Sequence, residues 1–105
     1  MEIIDINWFK KEIYPKLNGY EINYRYFPSG DFGQLEQIAF DSDKIGGEVE
    51  FWSSGRKTLF LIDYRSGETL LNYLFLEHTE EEVDEAQIEK AFDKLKTIIL
   101  DNRVK

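Results

Sequence analysis

The 105-residue chain has no cysteine, one histidine, two prolines and no long apolar run. Without cysteine there can be no disulfide framework and no thiolate metal site, and the chain is compatible with a reducing compartment. Residues 1–17 carry Asp5, Lys10, Lys11 and Glu12 and contain no apolar stretch of the length a secretory leader needs. Nothing approaches the roughly 20 apolar residues of a membrane-spanning helix. The cytoplasm is therefore the expected location. Positive charge is also scarce, with 13 Lys and Arg against 21 Asp and Glu and a net charge of −8. Such a chain repels nucleic acid and anionic membrane and attracts basic proteins. The general alternative is that acidic charge serves solubility.

What is present is enough for a folded domain. Hydrophobic residues make up 42% and aromatics 15%, too apolar for a disordered chain. A length of 105 residues argues for one domain, 1–105. Charge is unevenly spread. Residues 28–50 carry −5 and residues 77–93 carry −7, while residues 1–27 are neutral.

Asp5 is placed to cap a first helix, with Ile6, Phe9, Ile13 and Leu17 at helical spacing. Pro15 should end or kink it, and Asn18-Gly19 closes the element. From Tyr20 to Phe27 the pattern alternates, with Tyr20, Ile22, Tyr24 and Tyr26 on one side. This predicts a half-buried strand. Gln34–Phe40 reads as a second strand, with Ile38 and Phe40 in phase, and Asp41–Gly47 as a turn. In a third strand, Glu48–Ser53, Val49 and Phe51 lie on one side and Glu48, Glu50 and Trp52 on the other. Ser54-Gly55 signals a further turn.

Leu59–Tyr64 and Leu70–Leu76 are apolar on both faces and are joined by a tight hairpin at Arg65-Ser66-Gly67-Glu68. Such strands belong in the middle of a doubly covered sheet, or in a sheet covered on one side and used for binding on the other. A last helix spans about residues 84–100. Asp84 and Gln87 form a capping box, Val83 and Ile88 a hydrophobic staple. Its stripe is Ile88, Phe92, Leu95 and Ile99. Glu81, Glu82, Glu85 and Glu89 near its start and Lys94, Lys96 and Arg103 near its end suit the helix dipole, which explains much of the second acidic block. The expected fold is α+β: an N-terminal helix, an antiparallel meander of four to five strands, and a C-terminal helix packed on one face.

Catalytic and metal signatures are hard to find. His78 sits between the last strand and the last helix, and no motif places a nucleophile or an orienting acid beside it. Asp41, Asp43 and Gly46 match three positions of a calcium loop, but Ile45 and Trp52 fall where oxygen ligands are required. The glycines form neither GxGxxG nor a P-loop, and no basic patch is interleaved with aromatics as in RNA-binding sheets. No enzyme activity, cofactor, metal, small-molecule substrate, nucleic-acid or membrane partner is expected. A small enzyme built from Asp63, His78 and a glutamate would instead need a deep pocket uniting them.

The stretch DFGQLEQIAFDSDKIGGEVEFWSSG, followed by LFLIDYRSGETLLNYLFLE, resembles the small immunity proteins of bacterial contact-dependent growth inhibition systems, the CdiI type. The resemblance spans residues 31–77. Its most specific part runs from Gly46 to Gly55. It implies a stoichiometric inhibitor that binds the toxic C-terminal domain of a delivered effector, usually a nuclease, and it implies no catalytic residues. Nuclease domains are basic where they hold phosphate, and an acidic inhibitor gains from steering and complementarity.

The expected contact residues are Asp31, Glu36, Asp41, Asp43, Glu48, Glu50 and Trp52. The acids of residues 31–50 should matter more than those of 80–89, which helix capping already uses. Trp52 between two glutamates has the composition of an interface anchor; it would be ordinary core if a helix covers its face. Tyr73 and Phe75 share this ambiguity. An acidic adaptor with a non-toxin partner would use the same surface.

Overall fold

The computed structural model describes residues 4–29, 33–75 and 85–102. Asp31, His78 and the expected cap residues Val83 and Asp84 lie outside them. The fold is α+β. Helix α1, Ile6–Glu12, starts where the Asp5 carboxylate accepts from the Trp8 amide at 3.0 Å. A 3₁₀ turn, Tyr14–Lys16, follows at Pro15. Five strands come next: β1 Glu21–Phe27, β2 Leu35–Asp41, β3 Ile45–Trp52, β4 Lys57–Asp63 and β5 Thr69–Phe75. Helix α2, Glu85–Asp101, closes the order. The strands form one antiparallel meander in sequence order, as the short connections predicted.

Both helices lie on the same face of the sheet. Ile38, Phe40, Val49, Leu59 and Leu61 from the strands are buried with Phe9, Ile13, Leu17, Phe92, Leu95 and Ile99. The stripe expected for the last helix is thus its buried face, with Ala91 added and Ile88 half-buried. Aromatic rings stitch the two helices together through the sheet. Phe51 stacks on Phe92 with centroids 6.1 Å apart and meets Phe9 edge-on at 6.2 Å. Trp8 meets Phe92 edge-on at 5.3 Å. Such pairs each add about 0.5–1.5 kcal/mol beyond burial. Tyr20 supplies a polar tie. Its hydroxyl donates to the carbonyls of Ile99 and Asn102, at 3.3 and 3.4 Å, which the end of α2 would otherwise leave open.

Three expectations are corrected. The strand predicted to be half-buried is exposed along all seven residues. β1 is an edge strand, and although Ile22 and Tyr24 face the helix side opposite Phe40 and Ile38, the helices leave both exposed, with Lys10 of α1 lying over the Tyr24 ring. The turn predicted at Asp41–Gly47 shrinks to Ser42–Lys44, because Asp41 ends β2 and Ile45 starts β3. Ser42 closes it, its hydroxyl accepting from the Lys44 and Ile45 amides.

Gly47 has no positive φ, so it serves packing and not chain reversal. A Cβ there would lie 2.5 Å from the Phe40 ring and 2.9 Å from Leu61. Finally, β5 is an edge strand and not a middle one, and of the two placements open to the doubly apolar strands, coverage on one side is the one observed among the described residues. Tyr73 and Phe75 turn to the helix side. Phe75 is buried, and Tyr73 packs against the core under Lys94.

Phe92→Ala should cost about 3–5 kcal/mol of unfolding free energy, because it empties the point where both helices meet the sheet. Gly47→Ala should cost about 1–3 kcal/mol by overpacking Phe40 and Leu61. Ile22→Ala, on the exposed edge, should stay within about 0.5 kcal/mol. Urea titration of the three variants measures this order, and an Ile22→Ala loss as large as that of Phe92→Ala would contradict the placement of the core.

Candidate protein-binding surface

Directly opposed residues of antiparallel strands share a face, so the registers define what the second face of the sheet carries. One row across it reads Asn23, Ala39, Glu48, Phe60, Asn72, and the next reads Arg25, Gln37, Glu50, Thr58, Leu74. Phe27, Leu35 and Trp52 form a third row at one end. Among the described residues no helix lies on this face. Its apolar side chains stay accessible. Phe60 is 37% and Leu74 59% exposed, while Trp52 and Leu35 are half-buried against their neighbours.

At the centre stand two carboxylates. Glu48 and Glu50 are two residues apart on β3 and therefore on the same side. The Gln37 amide nitrogen donates to both, at 2.6 Å to Glu48 Oε1 and 2.8 Å to Glu50 Oε2. Thr58 Oγ1 donates to Glu50 Oε1 at 2.8 Å. The amide and hydroxyl hold the carboxylates in fixed positions without neutralising them, and each carboxylate can accept further bonds. Partial burial, followed by repulsion from Glu50, raises the Glu48 pKa from its ordinary value of 4.5, while Arg25 opposes the rise. A cationic group brought to this pair would relieve the repulsion.

The expected contact residues divide. Glu48, Glu50 and Trp52 are brought together on the open face. Asp41 lies on the same face but at its far end, opposite Gly46, and accepts a hydrogen bond from the Tyr64 hydroxyl, which holds the Tyr64 pKa above 10.0. Asp43 is exposed in the turn beyond it.

Glu36 does not belong to this group. It pairs with Phe51 on the helix side and accepts from Tyr24 at 2.6 Å, which pushes the Tyr24 pKa up to about 12. Its place follows from strand parity, since it is in phase with the buried Ile38 and Phe40.

Gln37, Thr58, Phe60 and Leu74 were not singled out from the sequence as contact residues. The apolar pattern on both faces of β4 and β5 was the available signal for the last two. The bridging amide left none.

Asp63 is bound two-handed by Arg65, with both contacts at 3.0 Å, and this holds its carboxyl below the ordinary range. Arg65 also donates to Asn102 at 2.8 Å, tying the β4–β5 turn to the end of α2. Asp63 lines neither the cleft of about 310 Å³ beside Ile4 and Phe51 nor the one of about 490 Å³ between β5 and α2. Among the described residues no group of three or more acidic, histidine or cysteine side chains could hold a metal ion. No helix of the described residues is long and apolar enough to cross a membrane.

A carboxyl whose folded pKa lies above its unfolded value binds its proton more tightly in the folded chain. The stability it contributes is full below the unfolded value and is lost as pH rises through the folded one. Glu48→Gln, which keeps an acceptor for Gln37, should therefore remove that loss. Denaturation midpoints followed from about pH 4 to pH 7 should converge at the acid end, with the variant the more stable at neutral pH. A variant less stable at pH 7 would mean that the Glu48 charge is stabilised and not opposed by its surroundings.

No family model, no curated protein and no solved structure matches the chain.

Proposed function

We propose that this chain is an inhibitor of the immunity type, which acts in the cytoplasm by binding a basic toxin domain, a nuclease, through the open face of its sheet. The observation that supports this most is the carboxylate pair Glu48–Glu50, fixed by Gln37 and Thr58 beside half-buried Trp52 on a face that no described helix covers. A nuclease surface that holds phosphate presents Lys and Arg at short spacing. Carboxylates about two residues apart on a strand, ~6–7 Å along the chain, can occupy the same cations. Trp52, Leu35 and Phe27 at one end, and Phe60 and Leu74 on the side toward β5, give apolar area around the charged centre. An aromatic anchor next to charges that a partner neutralises is the composition of a hot spot. Inhibition would follow from occupying the substrate's path.

An immunity gene would sit directly downstream of a large toxin gene, so the test is capture and kinetics with the C-terminal domain of any large protein encoded directly upstream. Association should slow as salt rises, since steering is screened over ~8–10 Å at physiological ionic strength. Glu48→Lys and Glu50→Lys should slow association further and flatten that salt dependence. Trp52→Ala should chiefly speed dissociation, by about 10–100-fold. Reversal of the acids of residues 80–89 should do less than reversal at Glu48 and Glu50. Binding unaffected by Glu48→Lys and Glu50→Lys would place the interface elsewhere. Capture of a basic partner that has no toxicity would favour the adaptor reading.

A further inference from the structure

Strand β1 has β2 on one side and, among the described residues, no strand on the other. Edge strands are usually blunted by lysine, proline, a bulge or a covering element, because their free amides and carbonyls template pairing with another chain. Among the described residues β1 has no bulge and no covering strand, and its only charges are Glu21 and Arg25. Its sequence, EINYRYF, lacks proline and lysine, and its ladder to β2 runs through seven consecutive pairs without a shift. The strand also carries unusual apolar exposure. On its helix side Ile22, Tyr24 and Tyr26 are 36%, 44% and 48% accessible, and Phe27 follows on the other side. Lys10 stands over the Tyr24 ring at 5.1 Å, and Glu36 holds its hydroxyl, so that ring is already positioned.

The two charges of the strand decide what fits this edge. Glu21 and Arg25 lie on the same face, four residues apart, with Asn23 midway between them. In an antiparallel pair of identical strands, each residue opposes one at an equal distance on the other side of the centre. Centred on Asn23, Glu21 faces Arg25 of the second copy, and the symmetry repeats that pair. Ile22 then faces Tyr24 of the second copy twice, on the helix side. Centring on Ile22 would set Glu21 against Asn23, and centring on Tyr24 would set it against Phe27. Only the Asn23 register joins both opposite charges, and cross-strand pairs of opposite charge are favourable while mismatched registers forgo them.

We propose that β1 is a self-association edge: two copies of this chain pair β1 to β1, antiparallel and centred on Asn23. The two five-stranded sheets become one continuous sheet. The two-fold axis runs normal to it, so both helix layers fall on one side and both open faces on the other. Backbone hydrogen bonds and the burial of Ile22 and Tyr24 hold the dimer, and the Glu21–Arg25 pairs set its register. The dimer would present the open face twice in one plane without covering it. This inference stands on the edge strand and does not depend on the proposed toxin partner.

Sedimentation velocity of the full chain over a concentration series reads the association directly. A monomer–dimer equilibrium is expected. Glu21→Arg or Arg25→Glu alone should weaken it by about tenfold, since each replaces two attractions with two repulsions. The double variant E21R/R25E should restore it. All these positions are exposed, and circular dichroism checks that each variant folds.

Because the chain has no cysteine, Asn23→Cys offers a register test. Mild oxidation should give an intermolecular disulfide, as opposed residues lie ~4.5–5.5 Å apart. Tyr26→Cys should not cross-link, because its symmetry mate is six residues away along the pair, ~20 Å. A chain that stays monomeric through the series would overturn the proposal. So would a dimer indifferent to both single charge reversals, or one that cross-links at Tyr26→Cys as readily as at Asn23→Cys.

Discussion

Everything in this molecule depends on one asymmetry of burial. A five-stranded sheet has two faces to cover, and both described helices are spent on the same one. Phe9, Phe51 and Phe92 meet there, so α1 and α2 share one aromatic junction and neither helix is free to cross to the other side. Tyr20 reinforces this by binding the last carbonyls of α2 from the start of β1. Among the described residues, helices on one side leave the other side to water, or to a partner. That face uses half-buried apolar side chains between polar ones, as one-sided antiparallel sheets do.

The acidic charge acquires meaning only against that asymmetry. By sequence, Glu36, Asp41, Glu48 and Glu50 form one block. In the fold they fall into three situations. Glu36 is turned to the helix side and occupied by Tyr24. Asp41 sits at the end of the open face and is occupied by Tyr64. Glu48 and Glu50 share one amide donor at the centre of that face, and their mutual repulsion is tolerated because water still reaches them. Holding two like charges together lowers no energy by itself, and it suits a surface that meets positive charge. The bidentate Arg65–Asp63 pair shows the contrast, a carboxylate already satisfied and tied into the turn.

Much of the fold was legible because the relevant forces are local. Period and capping marked α1 and α2. Turn residues separated five strands, and short turns dictated the meander. What was not legible depends on which element lies over which. The alternation in β1 looks like that of any half-buried strand, and only the reach of the helices shows that Ile22 and Tyr24 are left exposed. Gly46-Gly47 reads as a turn until Tyr64 and Asp41 are seen to occupy the space a side chain would need at Gly46, and the Phe40 ring and Leu61 the space at Gly47. At the candidate surface, parity alone placed Glu48, Glu50 and Trp52 together, and the same parity, carried one strand back, separates Glu36 from them. Gln37 escaped notice because a bridging amide has no sequence pattern.

Two tryptophans divide the molecule cleanly, Trp8 on the helix side against Phe92 and Trp52 on the open face beside Glu50. Oxidative footprinting of the chain alone and in complex with the toxin domain proposed as its partner compares the two faces in one experiment. The account predicts that Trp52 and Phe60 lose reactivity on binding while Trp8 keeps its own. Protection of Trp8 with Trp52 unchanged would contradict the claim that the uncovered face is the one this protein uses.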